Sequence, residues 1–133
     1  MIRFSPDRIR RGIISGLLVF STLSAQTLPK IEHLDIDAKE TGLQIEILFS
    51  DPLGKEDVSS WIEQQKWFIL NFYNIELPSP DFAEGNTTYP VEEILQTRTS
   101  DNALQLSFHT GRSLGSFDVI RNDEEKQILI VLV

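Results

Sequence analysis

The chain has 133 residues, 41% of them hydrophobic, with 20 acidic against 12 basic side chains and no cysteine. That length suits a single domain. The net charge of −8 disfavours contact with phosphate backbones or anionic lipid heads, and the absence of thiols excludes disulfide staples and cysteine-bound zinc.

The first 25 residues stand apart from the rest. Arg3, Arg8, Arg10 and Arg11 make a basic start opposed only by Asp7, and an apolar stretch of 14 residues, Gly12 to Ala25, ends in small side chains. A basic region, a short apolar region and a small-residue end describe a secretory signal peptide, expected to form a helix and to be cleaved after Ala25. The stretch falls short of the roughly 20 apolar residues that span a bilayer and is diluted by Ser15, Gly16, Ser21 and Ser24, so no membrane span is expected after cleavage. Removing residues 1–25 takes away four basic residues and one acidic one, leaving 8 against 19 and a net charge of −11. An exported domain of residues 26–133 without cysteine must be held by its core alone, which points to a bacterial periplasm.

From residue 31 onward the hydrophobic pattern has period two, the signature of strands. A weak strand is expected over 31–38. Then Leu43, Ile45, Ile47 and Phe49 alternate with polar neighbours over 43–50. After the Asp51-Pro52 turn a second weak strand is expected over 56–62. Residues 67–73 (WFILNFY) are apolar on both faces and suit a central strand, with Trp67 read as core. Pro78, Ser79, Pro80, Gly85 and Pro90 forbid regular strand across 76–90. The pattern then begins again: a weak strand over 91–99, alternation of Leu104, Leu106 and Phe108, a Gly111 to Gly115 turn, a weak strand over 116–122, and the apolar run ILIVLV over 128–133.

That recurrence is an internal repeat. Shifted by 61 positions, residues 43–72 lie on 104–133 without a gap: Leu43-Gln44 on Leu104-Gln105, Leu53-Gly54 on Leu114-Gly115, Asp57-Val58 on Asp118-Val119, Glu63 on Glu124 and Ile69 on Ile130. With one gap, Ile31-Glu32 falls on Val91-Glu92. Two units, about 31–75 and 91–133, each read strand, turn, strand, Leu-Gly loop, strand, turn, buried strand. Neither unit alone can cover its inner strand, so the expected fold is all-β, a small two-sheet sandwich with pseudo-twofold symmetry.

An exported chain opening on Ile31-Glu32-His33-Leu34-Asp35-Ile36, followed by LQIEILFS and WFILNFYNIELP and then by the same pattern again, resembles the AMIN domain. That domain stands at the periplasmic start of some N-acetylmuramoyl-L-alanine amidases and type IV pilus secretins. The resemblance covers about residues 31–133. It implies a β-sandwich that targets its parent protein to the cell envelope, usually through peptidoglycan. Two departures are visible. Asn71 stands where the family usually carries Asp, and residues 73–77 delay the proline of the following turn. Family members also lead into an amidase or secretin module, whereas this sequence runs to Val133, as a stand-alone adaptor or as a piece of a longer frame.

No catalytic constellation emerges, so no reaction is expected. His33 and His109 are the only histidines, neither in a metal-binding spacing, and there is no Gly-x-Ser-x-Gly elbow or phosphate-binding loop. Asp51, Glu56 and Asp57 lack the spacing of a calcium loop and read as solvated turn acids. No cofactor or metal is expected. For binding, Trp61 and Tyr89 are the aromatic side chains expected at the surface, with rings suited to sugar faces. Arg98, Arg112 and Arg121 are the candidate contacts for the carboxylates of a peptide stem. The alternative to a peptidoglycan ligand is a protein adaptor that pairs with a secretin or amidase through an exposed strand edge or the apolar 128–133 end.

Overall fold

The computed structural model describes residues 27–133, and the signal-peptide segment lies outside the described residues. Eight strands follow in order: β1 Ile31–Lys39, β2 Gly42–Phe49, β3 Val58–Glu63, β4 Trp67–Phe72, β5 Val91–Ser100, β6 Ala103–Thr110, β7 Phe117–Asn122 and β8 Gln127–Leu132. Each lies within a residue or two of its expected position, because alternating apolar side chains bounded by turn residues specify both period and ends. A short helical turn, Lys55–Asp57, lies just ahead of β3. Among the described residues no helix is long and apolar enough to cross a membrane.

The strands form two four-stranded antiparallel sheets, ordered β1-β2-β8-β7 and β3-β4-β6-β5. Each sheet therefore takes the first hairpin of one unit and the second hairpin of the other. β2 pairs with β8, Leu43 opposite Leu132, and β4 pairs with β6, Phe72 opposite Leu104. Exchanging the units exchanges the sheets, which is the pseudo-twofold relation the repeat implies.

The register corrects the repeat in detail. The 61-residue shift holds for β2 and β6 and through the buried Leu53 and Leu114 that follow them. It fails further on. In β4 the core side chains are Phe68, Leu70 and Phe72, and in β8 they are Ile128, Ile130 and Leu132, so these strands correspond at a shift of 60. Ile69 faces outward while Ile130 faces inward, and Asp57 belongs to the helical turn while Asp118 belongs to β7. The matched Asp-Val, Glu and Ile residues are thus coincidences of composition. Better support for duplication comes from the backbone. β1 is bulged between Ile31 and His33, and β5 is bulged between Val91 and Glu93 at the equivalent place. The Phe49 N–H donates to the Lys126 carbonyl at 2.9 Å, and the Thr110 N–H donates to the Lys66 carbonyl at 2.8 Å. Bulges re-aim strands at defined positions and do not recur by chance of alternation.

The core lies between the sheets. Leu43, Ile45, Ile47 and Phe49 of β2 and the inward residues of β8 meet Phe68, Leu70 and Phe72 of β4 and Leu104, Leu106 and Phe108 of β6. Phe49 and Phe72 pack edge to face across the gap, centroids 5.4 Å apart. The connection between units closes one side: Ala83 is buried, and Gln96 of β5 holds the segment by donating to the Ser79 carbonyl at 2.7 Å and accepting from the Ala83 N–H at 3.3 Å. Gly42 has a steric reason. A side chain there would overlap the Leu132 carbonyl oxygen of the adjoining strand. The apolar 128–133 end is no free flank, since β8 is hydrogen-bonded on both sides and its alternate residues are core.

Phe108→Ala removes a fully buried ring at the junction of the two units. It is expected to cost about 3–5 kcal/mol in urea unfolding. Ile120→Ala, at an exposed position of β7, should change stability by no more than about 0.5 kcal/mol.

Candidate binding face

The period-two rule leaves each sheet an outer face, and the two differ. On the β1-β2-β8-β7 sheet the rows read Asp35, Glu46, Leu129, Ile120 and Asp37, Gln44, Val131, Asp118. These rows carry four carboxylates and no aromatic ring. Gln127 donates to the Glu46 carboxylate in the neighbouring row.

The outer face of the β3-β4-β6-β5 sheet is different in kind. Its rows read Glu63, Trp67, His109, Glu93; then Trp61, Ile69, Ser107, Leu95; then Ser59, Asn71, Gln105, Thr97. The carboxylates of these rows, Glu63 and Glu93, sit at the two ends of the first row. Between them lies an open cleft of about 310 Å³, lined chiefly by Trp67, Ile69, Leu95, Gln105 and Ser107, with Glu63 and Gln64 at one end. Gln64 has φ 53° and Gln65 φ 62°, the left-handed region, in the three-residue loop that returns β3 into β4.

Trp67 is half-buried, with its ring 4.6 Å from the His109 imidazole and tilted 54° to it. Nδ1 of His109 lies 3.6 Å from the Glu92 carboxylate. Ile69 is only 5% exposed although it stands outside the inter-sheet core. Its cross-strand neighbours are Trp61 and Ser107, and among the described residues its burial comes from side chains of the same face. One polar atom here has no partner among the described residues. Oδ1 of Asn71 is buried without a hydrogen bond in a residue 9% exposed, opposite Ser59 and Gln105. A satellite apolar cluster edged with amides and a hydroxyl presents flat apolar area together with hydrogen-bonding groups of both kinds.

The five sequence-predicted site residues are not gathered in one place. Trp61 is on this face and 40% exposed. Tyr89 is 64% exposed and stands beside Gly111 and Glu92, beyond the His109 end of the cleft. Arg98 faces away from the cleft, pairs with Asp101 at 2.9 Å, and borders a separate hollow under Leu77 and Pro78. Arg112 donates to the Gly42 carbonyl at 3.2 Å and to that of Lys39 at 3.5 Å, closing the β1–β2 turn. Arg121 donates to the Leu53 carbonyl and, at 3.2 Å, to the Gly54 carbonyl, and pairs with Asp123 at 3.1 Å. The last two guanidinium groups hold backbone of the opposite unit.

Trp67 corrects the expectation that placed it in the core. Phe68, Leu70 and Phe72 take that role, and Trp67 and Ile69 face out. Leu95, Gln105 and Ser107 escaped notice because each sits in a strand whose alternation only says that it faces away from the core. Asn71 inside an otherwise apolar run was the available signal. Of the turn acids, Asp57 accepts from the Asn74 side-chain amide at 2.9 Å and Asp51 from the Ser50 hydroxyl at 3.2 Å. Among the described residues no group of three or more His, Asp or Glu side chains is placed to hold a metal ion.

Arg121→Ala is expected to lower stability by about 1–2 kcal/mol, because it removes charge-assisted bonds to backbone. Arg98→Ala, which breaks only an exposed pair, should stay within about 0.5 kcal/mol. Asn71→Leu, which replaces an unsatisfied buried amide by an apolar group of similar size, is expected to raise stability by about 1 kcal/mol, seen as a melting point several degrees higher.

No protein-family model matches this chain, and no curated protein matches it in sequence, so its function has to be argued from this face.

Proposed function

We propose that this chain is a non-catalytic targeting domain of the bacterial cell envelope, exported to the periplasm, that holds a glycan strand of peptidoglycan on the outer face of the β3-β4-β6-β5 sheet. The observation that carries this reading is the surface cluster of Trp61, Trp67 and Leu95 around the covered Ile69, bordered by Gln105 and Ser107. Pyranose rings offer apolar C–H faces that pack on such surfaces, and their rim hydroxyls need donors and acceptors of the amide and hydroxyl type. The basic and apolar opening of the sequence supports export, and the resemblance to the AMIN domain supports the wall as the target.

Electrostatics selects the part of the wall. The mature domain carries −11, and peptide stems carry carboxylates of their own, so general attraction does not bring the two together. The acids of the opposite sheet are turned away from this cleft, and the middle rows of the binding face are uncharged. A neutral sugar chain meets that strip without opposition, while the stems extend outward. Such contact is short-ranged and weakly dependent on salt, unlike binding through arginines.

The domain of residues 26–133, which contains both sheets and the whole core, should sediment with purified sacculi, and the bound fraction should hold or rise as salt is raised. Trp61→Ala and Trp67→Ala should each weaken binding by about 2 kcal/mol, roughly thirtyfold. Absence of sedimentation, together with co-purification of a secretin or amidase, would replace this reading by the adaptor. In that case the free edges β1, β3, β5 and β7 are the available pairing sites.

A further inference from the structure

We infer that two copies of this chain join through the β3 edge, pairing antiparallel about Ser60, so that their outer faces run on as one sheet. This goes beyond the glycan reading and does not depend on it. A strand at the edge of a sheet offers unpaired N–H and carbonyl groups to any other strand. Folded proteins blunt such edges with bulges, charges and inward-pointing charged side chains. Three of the four edges here are blunted in one or more of these ways. β1 is bulged between Ile31 and His33, carries Glu32, Asp35, Asp37 and Lys39, and has Lys30 just ahead of it bridged to Glu76. β5 shifts register at both ends, carries Glu92 and Glu93, and turns Arg98 inward beside the core residue Leu104. β7 carries Asp118 and turns Arg121 inward opposite Ile128. β3 differs. Its pairing with β4 runs without a shift, and from Val58 to Ile62 it carries no charge, Glu63 being its last residue.

The backbone says which groups of β3 are free. The Tyr73 N–H donates to the Asp57 carbonyl at 2.8 Å, one position ahead of the Val58–Phe72 pair. Bonded and non-bonded pairs alternate along an antiparallel ladder. Ser59, Trp61 and Glu63 therefore exchange bonds with β4, while Val58, Ser60 and Ile62 direct theirs to the open side. Among the described residues no turn or loop backbone takes these groups up. With Ser60 opposite its own copy, Val58 of each molecule faces Ile62 of the other, and every one of the free groups is paired across a twofold axis. A register shifted by two residues leaves one end of each strand unpaired.

Charge favours the same occupant. The mature domain carries −11, so two copies repel at a distance and meet most readily along a neutral strip. β3 is such a strip and is its own complement. Like charges meet at its ends, where Glu63 comes to face Asp57 of the other copy. On the inner side Val58 and Ile62, each packed against the core, come together. On the outer side Trp61, 40% exposed in one copy, lies beside Ser59 of the other and diagonal to its Trp61, about 7–8 Å away and within reach of an aromatic ring. The axis stands perpendicular to the sheet, so both clefts open on the same side with the two Trp61 rings between them.

Sedimentation velocity of residues 26–133 without any ligand tests this. A monomer–dimer equilibrium is expected, with a dissociation constant on the order of 10–100 μM, as suits an interface below standard size. Raising salt from about 50 to 500 mM should tighten it several-fold, because salt screens the net charge and the Glu63–Asp57 opposition. Ser60→Pro removes the N–H beside the axis without touching a bond to β4, and Ser60→Lys points a charge inward on the edge. Each should weaken association about tenfold or more, with circular dichroism and urea unfolding reporting the fold; should the proline variant not fold, the lysine variant carries the test. Ser60→Cys reads the register. The chain has no other thiol, and opposed residues of a bonded pair stand about 5.5 Å apart at Cα, within disulfide range. This variant should form a covalent dimer on mild oxidation, whereas Ile120→Cys on β7 should not. A chain that stays monomeric up to about 1 mM overturns the inference. So does an association that Ser60→Lys leaves unchanged, or crosslinking through Ile120→Cys instead of Ser60→Cys. Each of these results leaves the glycan reading standing, since no glycan enters the measurement.

Discussion

Everything in this fold depends on pairing between the two repeats, β2 with β8 and β4 with β6. A hairpin alone is marginal in water, and each unit consists of two hairpins that lie in different sheets. Only when a hairpin of one unit joins a hairpin of the other does a four-stranded sheet exist, and only when both sheets exist is there a surface for each to cover. The core residues of β2, β4, β6 and β8 are therefore joint property of the two units. Folding of such a chain is cooperative and governed by contacts distant in sequence.

This exchange also explains how arginines proposed for ligand binding came to serve the backbone. Arg112, after β6, reaches the β1–β2 turn, and Arg121, in β7, reaches the Leu53-Gly54 loop. Both lie in the second unit and both hold carbonyls of the first. A guanidinium group spans several acceptors at a fixed geometry and is always charged, which suits it to fastening irregular segments. In an acidic domain the few arginines draw attention as anion sites, yet carbonyl oxygens with no strand partner compete for the same donors.

Duplication constrains the inside of the sandwich and leaves the outside free. Inward positions of β2, β4, β6 and β8 are apolar in both copies, except that Thr110 stands where the first copy has Phe49. Outward ones diverge: Trp61 corresponds to Ile120 and Ile69 to Leu129, whereas Ser107 corresponds to Glu46 and Leu95 to Asp35. In that row the positions nearest β3 or β7 stay apolar, and those nearest β1 or β5 are acidic in one sheet and neutral in the other. Two surfaces on one scaffold thus acquire opposite character. The neutral one carries the cleft and the unsatisfied amide of Asn71.

The period of alternation, the turn residues and the recurrence of the pattern were enough to place eight strands and to require that two similar halves cover each other, because side-chain direction along a strand repeats every two residues whatever lies around it. The β4 run shows where that reasoning stops. A strand apolar on both sides is buried on both sides or presents one side to a partner, and its own residues are the same in either case. Pairing with β6, with no further layer among the described residues, decided that Phe68, Leu70 and Phe72 are core while Trp67 and Ile69 face outward. The fate of Arg112 and Arg121 was likewise invisible along the chain, since their carbonyl partners lie about 70 residues away. Asn71 was noticeable as a polar interruption, but only its neighbours across two strands could show that its oxygen lacks a donor.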